Sequence, residues 1–236
     1  WDGSEWQPLG NGRTESTVAL TIFNGDLIAG GYRSTEDSER IGRWDGTEWH
    51  PMGIGMNGAV WDLIVYKGEL IAGGYFDKAG GQTVNFIARW DGSNWQPMGT
   101  GLNARVEVLA VFDDELIVGG SFTTAGGIPA NNIARWDGSQ WHSMGDGMKS
   151  TNGGVYSLTV LENKLIAGGY FSQADGKDVN NIAMWDGTAW SPIGDGFNAW
   201  VPALATYKDS FVAGGDFNKS GNRPVSFISI YEEPEN

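Results

Sequence analysis

The chain has 236 residues, with 37 Gly, 12 Trp, no Cys and 15 basic against 29 acidic side chains, so its net charge is −14 and its pI is near 4.4. A content of 40% hydrophobic and 12% aromatic residues excludes disorder, Gly without a G-X-Y period excludes collagen, and no run of 18 apolar residues offers a membrane span. The acidic balance repels nucleic-acid phosphates, and the absence of Cys removes disulfides, thiolate metal sites and a Cys nucleophile together.

Trp1 opens the chain with neither Met nor a signal peptide, which fits a processed form or an excised fragment. The lack of Cys fits a bacterial or cell-surface protein, although a cytosolic one could also lack it. Trp1 also opens a Trp-Asp-Gly triplet that returns at Trp44, Trp90, Trp136 and Trp185, at spacings of 43, 46, 46 and 49. A second Trp follows each triplet, at Trp6, Trp49, Trp95, Trp141 and Trp190, and a Gly-Gly pair recurs in step at Gly30, Gly73, Gly119, Gly168 and Gly214. Tyr231 stands 46 residues after Trp185 and takes the sixth Trp position. The chain therefore holds five units.

One unit reads as four strands. Residues 105–112 form an apolar run ended by the turn Asp113-Asp114, and residues 115–122 form the second run. A longer loop leads to a third strand at 132–136, and DGSQ turns the chain into a fourth at 141–144. Four short strands in a period of about 46 residues make a blade, so the expected fold is all-β: one five-bladed β-propeller with four antiparallel strands per blade, spanning residues 1–236. The blades fall at about 15–53, 58–98, 104–144, 153–193 and 199–231, the last joined by residues 4–9. The N-terminal segment Trp6–Leu9 would supply the fourth strand of that last blade, a 3+1 closure that leaves no open edge. Trp1 and Tyr231 compete for one position in it, and one of them is expected to be displaced outward.

The segment ELIVGGSF followed by NNIARWDGSQWHSMG resembles the WDG-type repeat of kelch-like secreted and cell-surface propellers, such as fungal cortical-marker proteins. The resemblance covers all five units, although kelch repeats proper usually carry Tyr-Asp and a longer turn. It implies a binding role and a secreted or cell-surface location, and it supplies no catalytic residue.

Most repeated residues have a packing explanation beside any functional one. The paired Trp side chains should meet across a hairpin, or stack on sugars. Gly-Gly implies a neighbour too close for a Cβ. The Asp of each WDG turn caps the turn or, alternatively, ligates metal. Gly53 to Gly58 matches G-x-G-x-x-G but no helix follows it, so it is no dinucleotide site. His50 and His142 lie on different units and make no metal site together.

Binding residues are expected in the longer loops, those between the second and third strands and those between units, which emerge on one face. The inter-unit loop presents Asn57, Asn103, Asn152 and Asn198, with Thr14 in the first unit. The other loop presents Asn85, Asn131 and Asn180, with Glu39 and Ser226 in the remaining units. These Asn serve either as turn formers or as partners of sugar hydroxyls. Trp61 and Trp200 are the two Trp outside the repeated pairs, and either plug the channel or stack on a ligand. The same face loses three residues between Gly30 and Trp44 and gains three between Trp141 and Val155, which could open an asymmetric pocket.

The expected function is that of a non-catalytic module binding carbohydrate on the long-loop face, through Trp61, Trp200 and the loop asparagines. A protein-interaction or cell-surface scaffold is the alternative. A glycosidase is a third reading, for which Asp62 and Glu107 form a thin carboxylate pair. No cofactor and no metal are expected, since the acidic loops could hold Ca²⁺ but no D-x-D-x-D-G loop occurs. The expected partners are carbohydrate or another protein, with no nucleic acid and no membrane span, and the chain is expected to be a monomer.

Overall fold

A computed structural model describes residues 3–13, 16–32 and 40–231; Trp1, Thr14 and Glu39, named above, lie outside the described residues. All regular structure among them is β-strand. The chain divides into two compact units, Trp1–Met98 and Gly99–Asn236.

The first unit holds two antiparallel sheets of four strands. One is Ser16–Phe23, Asp26–Tyr32, Ile41–Trp44 and Trp49–Pro51, in chain order across the sheet; the other is Ala59–Tyr66, Glu69–Tyr75, Ile87–Trp90 and Trp95–Pro97. The second unit holds Val106–Phe112, Glu115–Gly120, Ile133–Trp136 and Trp141–Ser143, then Val155–Leu161, Lys164–Gly169, Ile182–Trp185 and Trp190–Pro192. Its last sheet has three strands, Ala203–Tyr207, Ser210–Gly214 and Ile228–Tyr231.

Local chemistry explains this repetition. The hairpin turns Asp113-Asp114 and Glu162-Asn163 have φ of 49° and 59°, and 46° and 60°, the left-handed pair that matches strand twist. The first strand of each four-stranded sheet carries a bulge, at Thr17/Ala19, Val60/Asp62, Val106/Val108 and Val155/Ser157. The bulge turns Val18, Trp61, Glu107 and Tyr156 out of the regular alternation. At Gly119, a Cβ would stand 2.7 Å from Val155 Cγ1 of the next sheet, and at Gly120 only 2.2 Å from the Arg105 carbonyl. The Gly-Gly pair therefore marks close packing, first of sheet on sheet and then of backbone on backbone.

The Trp pairs do meet across the third and fourth strands. Trp90 and Trp95 have ring centroids 5.2 Å apart at 56°, and Trp185 and Trp190 lie 5.3 Å apart at 50°. The second Trp also ties neighbouring sheets together. Trp95 Nε1 donates to the Met52 carbonyl at 3.0 Å, and Trp190 Nε1 to the Met144 carbonyl at 3.0 Å. Both indoles are completely buried. Truncating such a ring removes about 3–5 kcal/mol of packing.

The last sheet departs from the expectation, because Trp6–Leu9 forms no strand and Trp6 is 84% exposed. Tyr231 instead stacks on Phe211 at 4.9 Å. Leu9 nevertheless occupies the position of Met52 and Met144, since its carbonyl accepts Trp49 Nε1 at 3.2 Å. Two apolar faces stay bare. Ile228 and Ile230 of the last sheet are exposed, whereas their counterparts Ile182 and Met184 pack with Ile166 against Phe211 and Phe217. In the first sheet Leu20 and Ile22 are exposed, while Leu63 and Leu109 in the Leu20 position are buried.

Candidate functional site

The loops of the long-loop face are built on side-chain clamps. The second-to-third-strand loop is itself a small hairpin in four repeats, pairing Lys78–Ala79 with Gln82–Thr83, Thr124–Ala125 with Ile128–Pro129, Gln173–Ala174 with Lys177–Asp178, and Lys219–Ser220 with Arg223–Pro224. The inter-unit loop is stapled to that hairpin by its Asn. Asn103 Oδ1 accepts the backbone N–H groups of Thr123 and Thr124 at 2.8 and 3.0 Å. Asn57 does the same for Asp77 and Lys78, and Asn198 for Asn218 and Lys219.

The other asparagines anchor the loop to the following unit. Asn131 Nδ2 donates to the Asp146 carbonyl at 2.9 Å, and Asn180 Nδ2 to the Asp195 carbonyl at 2.7 Å. Asn85 takes a left-handed backbone with φ of 54°. Asn132 and Asn181, which the spacing argument passed over, do as much: both have positive φ, and their Nδ2 groups donate to the Met148 and Phe197 carbonyls. The Asn-Asn dipeptides at 131–132 and 180–181 were the available signal. Each clamp uses part of the amide, so a further donor or acceptor remains for a ligand.

The fourth repeat breaks the pattern. Its three extra residues let Met148–Lys149 pair with Gln173–Ala174 as a short added strand. Elsewhere the same contact is a single bridge, Met56 to Ala79 or Leu102 to Ala125. Backbone now replaces the side-chain clamp, because the Lys149 carbonyl accepts Ser172 N–H at 3.0 Å. Asp175, with φ of 50°, stands where Gly80 and Gly126 lie in other repeats. Its carboxylate accepts Asp146 N–H at 2.7 Å and Trp190 N–H at 3.0 Å, which holds the altered loop.

Two cavities flank the insertion. The larger, about 550 Å³, is walled by Arg105, Ser121, Asn131, Lys149, Asn152 and Gln173, among others. The smaller, about 220 Å³, includes Tyr170, Asn180 and Asn198, and shares Ser150 and Thr151 with the first. Of the sequence-predicted residues, this brings together Asn131, Asn152, Asn180 and Asn198 around the inserted loop. A third cavity of about 330 Å³ lies by Asp113, Glu115, Arg135 and Thr188, among the short turns.

The two unrepeated Trp residues have different surroundings. Trp61, half-buried, stacks on the exposed Tyr75 at 6.3 Å and 17°, and Tyr75 meets Phe86 at 6.0 Å. Phe86 has φ of 71°, a strained backbone for an aromatic residue. Trp200 donates its Nε1 to Asp216 and meets Tyr156 edge-on at 5.7 Å.

Among the carboxylates are turn caps and one partly buried acid, Glu107. Asp137 Oδ1 accepts Ser139 and Gln140 N–H at 2.7 and 2.9 Å, and Asp45, Asp91 and Asp186 cap their turns likewise. These bonds hold the four carboxyls below the usual range, with His142 the largest influence on Asp137. Asp45, Glu48 and His50 form one cluster, within which His50 Nε2 lies 2.6 Å from Asp45 Oδ2. Burial pushes the Glu107 carboxyl up, opposed by Arg105 at 2.7 Å. Asp62 Oδ1 accepts Leu63 N–H at 2.8 Å.

Comparison with known proteins bears on the fold. The family model described as "Domain of unknown function (DUF5122) beta-propeller" matches residues 68–91 and 113–136, each from the first hairpin turn to the end of the third strand. The extracellular domain assigned to a hybrid two-component system from B. thetaiotaomicron is similar in structure, with a TM-score of 0.62 and 12% identity over 95% of this chain and 28% of that one. The WD40 beta propeller domain of Doa1 is also similar, with a TM-score of 0.56 and 17% identity over 87% of this chain and 64% of the other. The chain thus spans less than two thirds of either protein chain. No curated protein matches it in sequence. The chain is a β-propeller repeat protein. No helix among the described residues is long and apolar enough to cross a membrane.

Proposed function

We propose that the chain is a non-catalytic binding module that recognises carbohydrate on its long-loop face, at the cavity beside the fourth-repeat insertion. The observation that carries this reading is the cavity itself, about 550 Å³ and lined by amides and hydroxyls, of which the Asn131 and Asn132 amides are held by backbone carbonyls. Sugars present dense arrays of donors and acceptors, and a pre-ordered polar wall meets them with little loss of side-chain freedom. In this reading Arg105, Asn152 and Gln173 bind hydroxyls, and neither metal nor cofactor takes part. The extracellular character of one structural relative supports a secreted or cell-surface location. A glycan array probed with the intact chain tests the reading: binding to a defined glycan set, weakened at least about tenfold by Asn152→Ala with Gln173→Ala, is expected. Absence of binding to every glycan overturns it.

The proposal includes the architecture that carries the face: a kelch-like, five-bladed ring in which Trp6–Leu9 adds the fourth strand beside Ile228–Tyr231. The repeat supports this, because Trp6-Gln7-Pro8 matches Trp95-Gln96-Pro97, which pairs with Ala88–Trp90, and because Leu9 already serves Trp49 as Met52 serves Trp95. By the register of Ala88 with Pro97, Pro8→Cys should form a disulfide with Ser229→Cys in this Cys-free chain. Failure to cross-link under oxidation would remove the closure.

A scaffold role is the second reading. It is favoured by the exposed Tyr75, stacked on Trp61 and flanked by the strained Phe86 in the first unit, since aromatic clusters of this kind anchor protein contacts.

A further inference from the structure

We propose that the two cavities of the fourth repeat are subsites of one groove, and that the groove takes a linear oligosaccharide of at least two units rather than a lone monosaccharide. The inference rests on the carbohydrate reading above and adds the form of the ligand.

The cavities share Ser150 and Thr151, so the inserted loop is a common wall between them. That wall is held closed, since Ser150 Oγ accepts Gly153 N–H at 2.7 Å. Its base is fixed by the pairing of Lys149 with Gln173. The two sides differ in chemistry. The larger cavity is lined by hydroxyls, amides and the cations Arg105 and Lys149. Lys149 makes no side-chain ion pair among the described residues, which leaves its ammonium for hydroxyl or ring oxygens. The smaller cavity offers the ring of Tyr170, which is half exposed, beside Asn180 and Asn198. An aromatic face beside amide groups suits the apolar face and the hydroxyl edge of one sugar ring.

A volume of about 220 Å³ lies below the range of independent ligand pockets, about 300–1,000 Å³, whereas about 550 Å³ lies within it. The smaller site therefore contributes only for a ligand already anchored next door, as linked binding events reinforce each other. A chain molecule crossing the wall satisfies both.

The test is calorimetric titration of the intact chain with glucose, mannose, galactose and N-acetylglucosamine, each as one to six linked units. Affinity should rise at least about tenfold from one to two units in the recognised series and then level off. Tyr170→Ala should bring the longer sugars down to about the affinity of the single sugar, with near-ultraviolet dichroism of the tryptophans confirming the fold. Equal affinity at every length, or a proportionate loss at every length in Tyr170→Ala, overturns the two-subsite groove and leaves the carbohydrate reading standing. Failure to bind these sugars together with absence of binding to every glycan of the array overturns both.

Discussion

The third and fourth repeats share their sheet, Trp pair and Gly-Gly contacts, yet they treat one loop in opposite ways. In the third repeat the Asn103 side chain staples the loop, and the backbone link there is a single bridge, Leu102 to Ala125, made by two hydrogen bonds. In the fourth, three added residues extend that link into a paired strand, Asp175 replaces a glycine, and Asn152 is released to the wall of a cavity. Trading a side-chain clamp for a backbone ladder keeps the loop ordered while freeing polar groups for a ligand. Repetition thus identifies what holds the blade, and the break in repetition marks the place proposed to bind.

The largest effects should fall on what the two repeats share. Trp190→Ala should remove about 3–5 kcal/mol of stability in urea unfolding, through the lost ring and the orphaned Met144 carbonyl. Trp141→Ala should act similarly, since Trp141 is also buried; a loss confined to one repeat would break the equivalence. The loop comparison predicts a smaller but unequal pair. Asn103→Ala removes the acceptor of two N–H groups at an exposed clamp and should cost about 0.5–1.5 kcal/mol, whereas Asn152→Ala, which loses no such clamp, should cost under about 0.5 kcal/mol and act on the proposed sugar binding instead. Equal destabilisation would remove the claim that the insertion replaces the clamp.

The smallest effect is a pH dependence carried by the WDG-turn aspartates. Turn bonds lower the Asp186 carboxyl to about 2, while His142 first and the turn bonds after it lower that of Asp137. A carboxyl depressed in the folded state contributes stability above its ordinary value near 4, and that contribution is lost as pH falls toward 2. Unfolding midpoints measured from pH 5 to 2 should therefore decline less steeply in Asp186→Asn than in the parent. An unchanged slope would count against the caps.

The periodic pattern was enough to place strands at 105–112, 115–122, 132–136 and 141–144, and the observed strands Val106–Phe112, Glu115–Gly120, Ile133–Trp136 and Trp141–Ser143 lie within them. It missed the hairpin inside the loop, Thr124–Ala125 with Ile128–Pro129, because two-residue strands leave no alternation to read. The site was half legible. The insertion between Trp141 and Val155 announced an asymmetry, but aligning Asn152 with Asn103 hid the fact that Lys149 takes the clamp position. For Trp200 the sequence leaves open a channel plug or a stacking platform, and its bond to Asp216 and edge contact with Tyr156 show how it is held.

Sequence alone determined the blade: its length, its strands, its capped WDG turns and its Trp pairs. All of these arise from contacts close along the chain or from a fixed period, so residue type and spacing suffice to reveal them. Tertiary structure decided which asparagines hold loops, where the inserted residues pair, and that two cavities lie either side of Ser150 and Thr151. Those outcomes depend on which backbone groups are already satisfied by a neighbouring strand, and that accounting exists only once the sheets are packed.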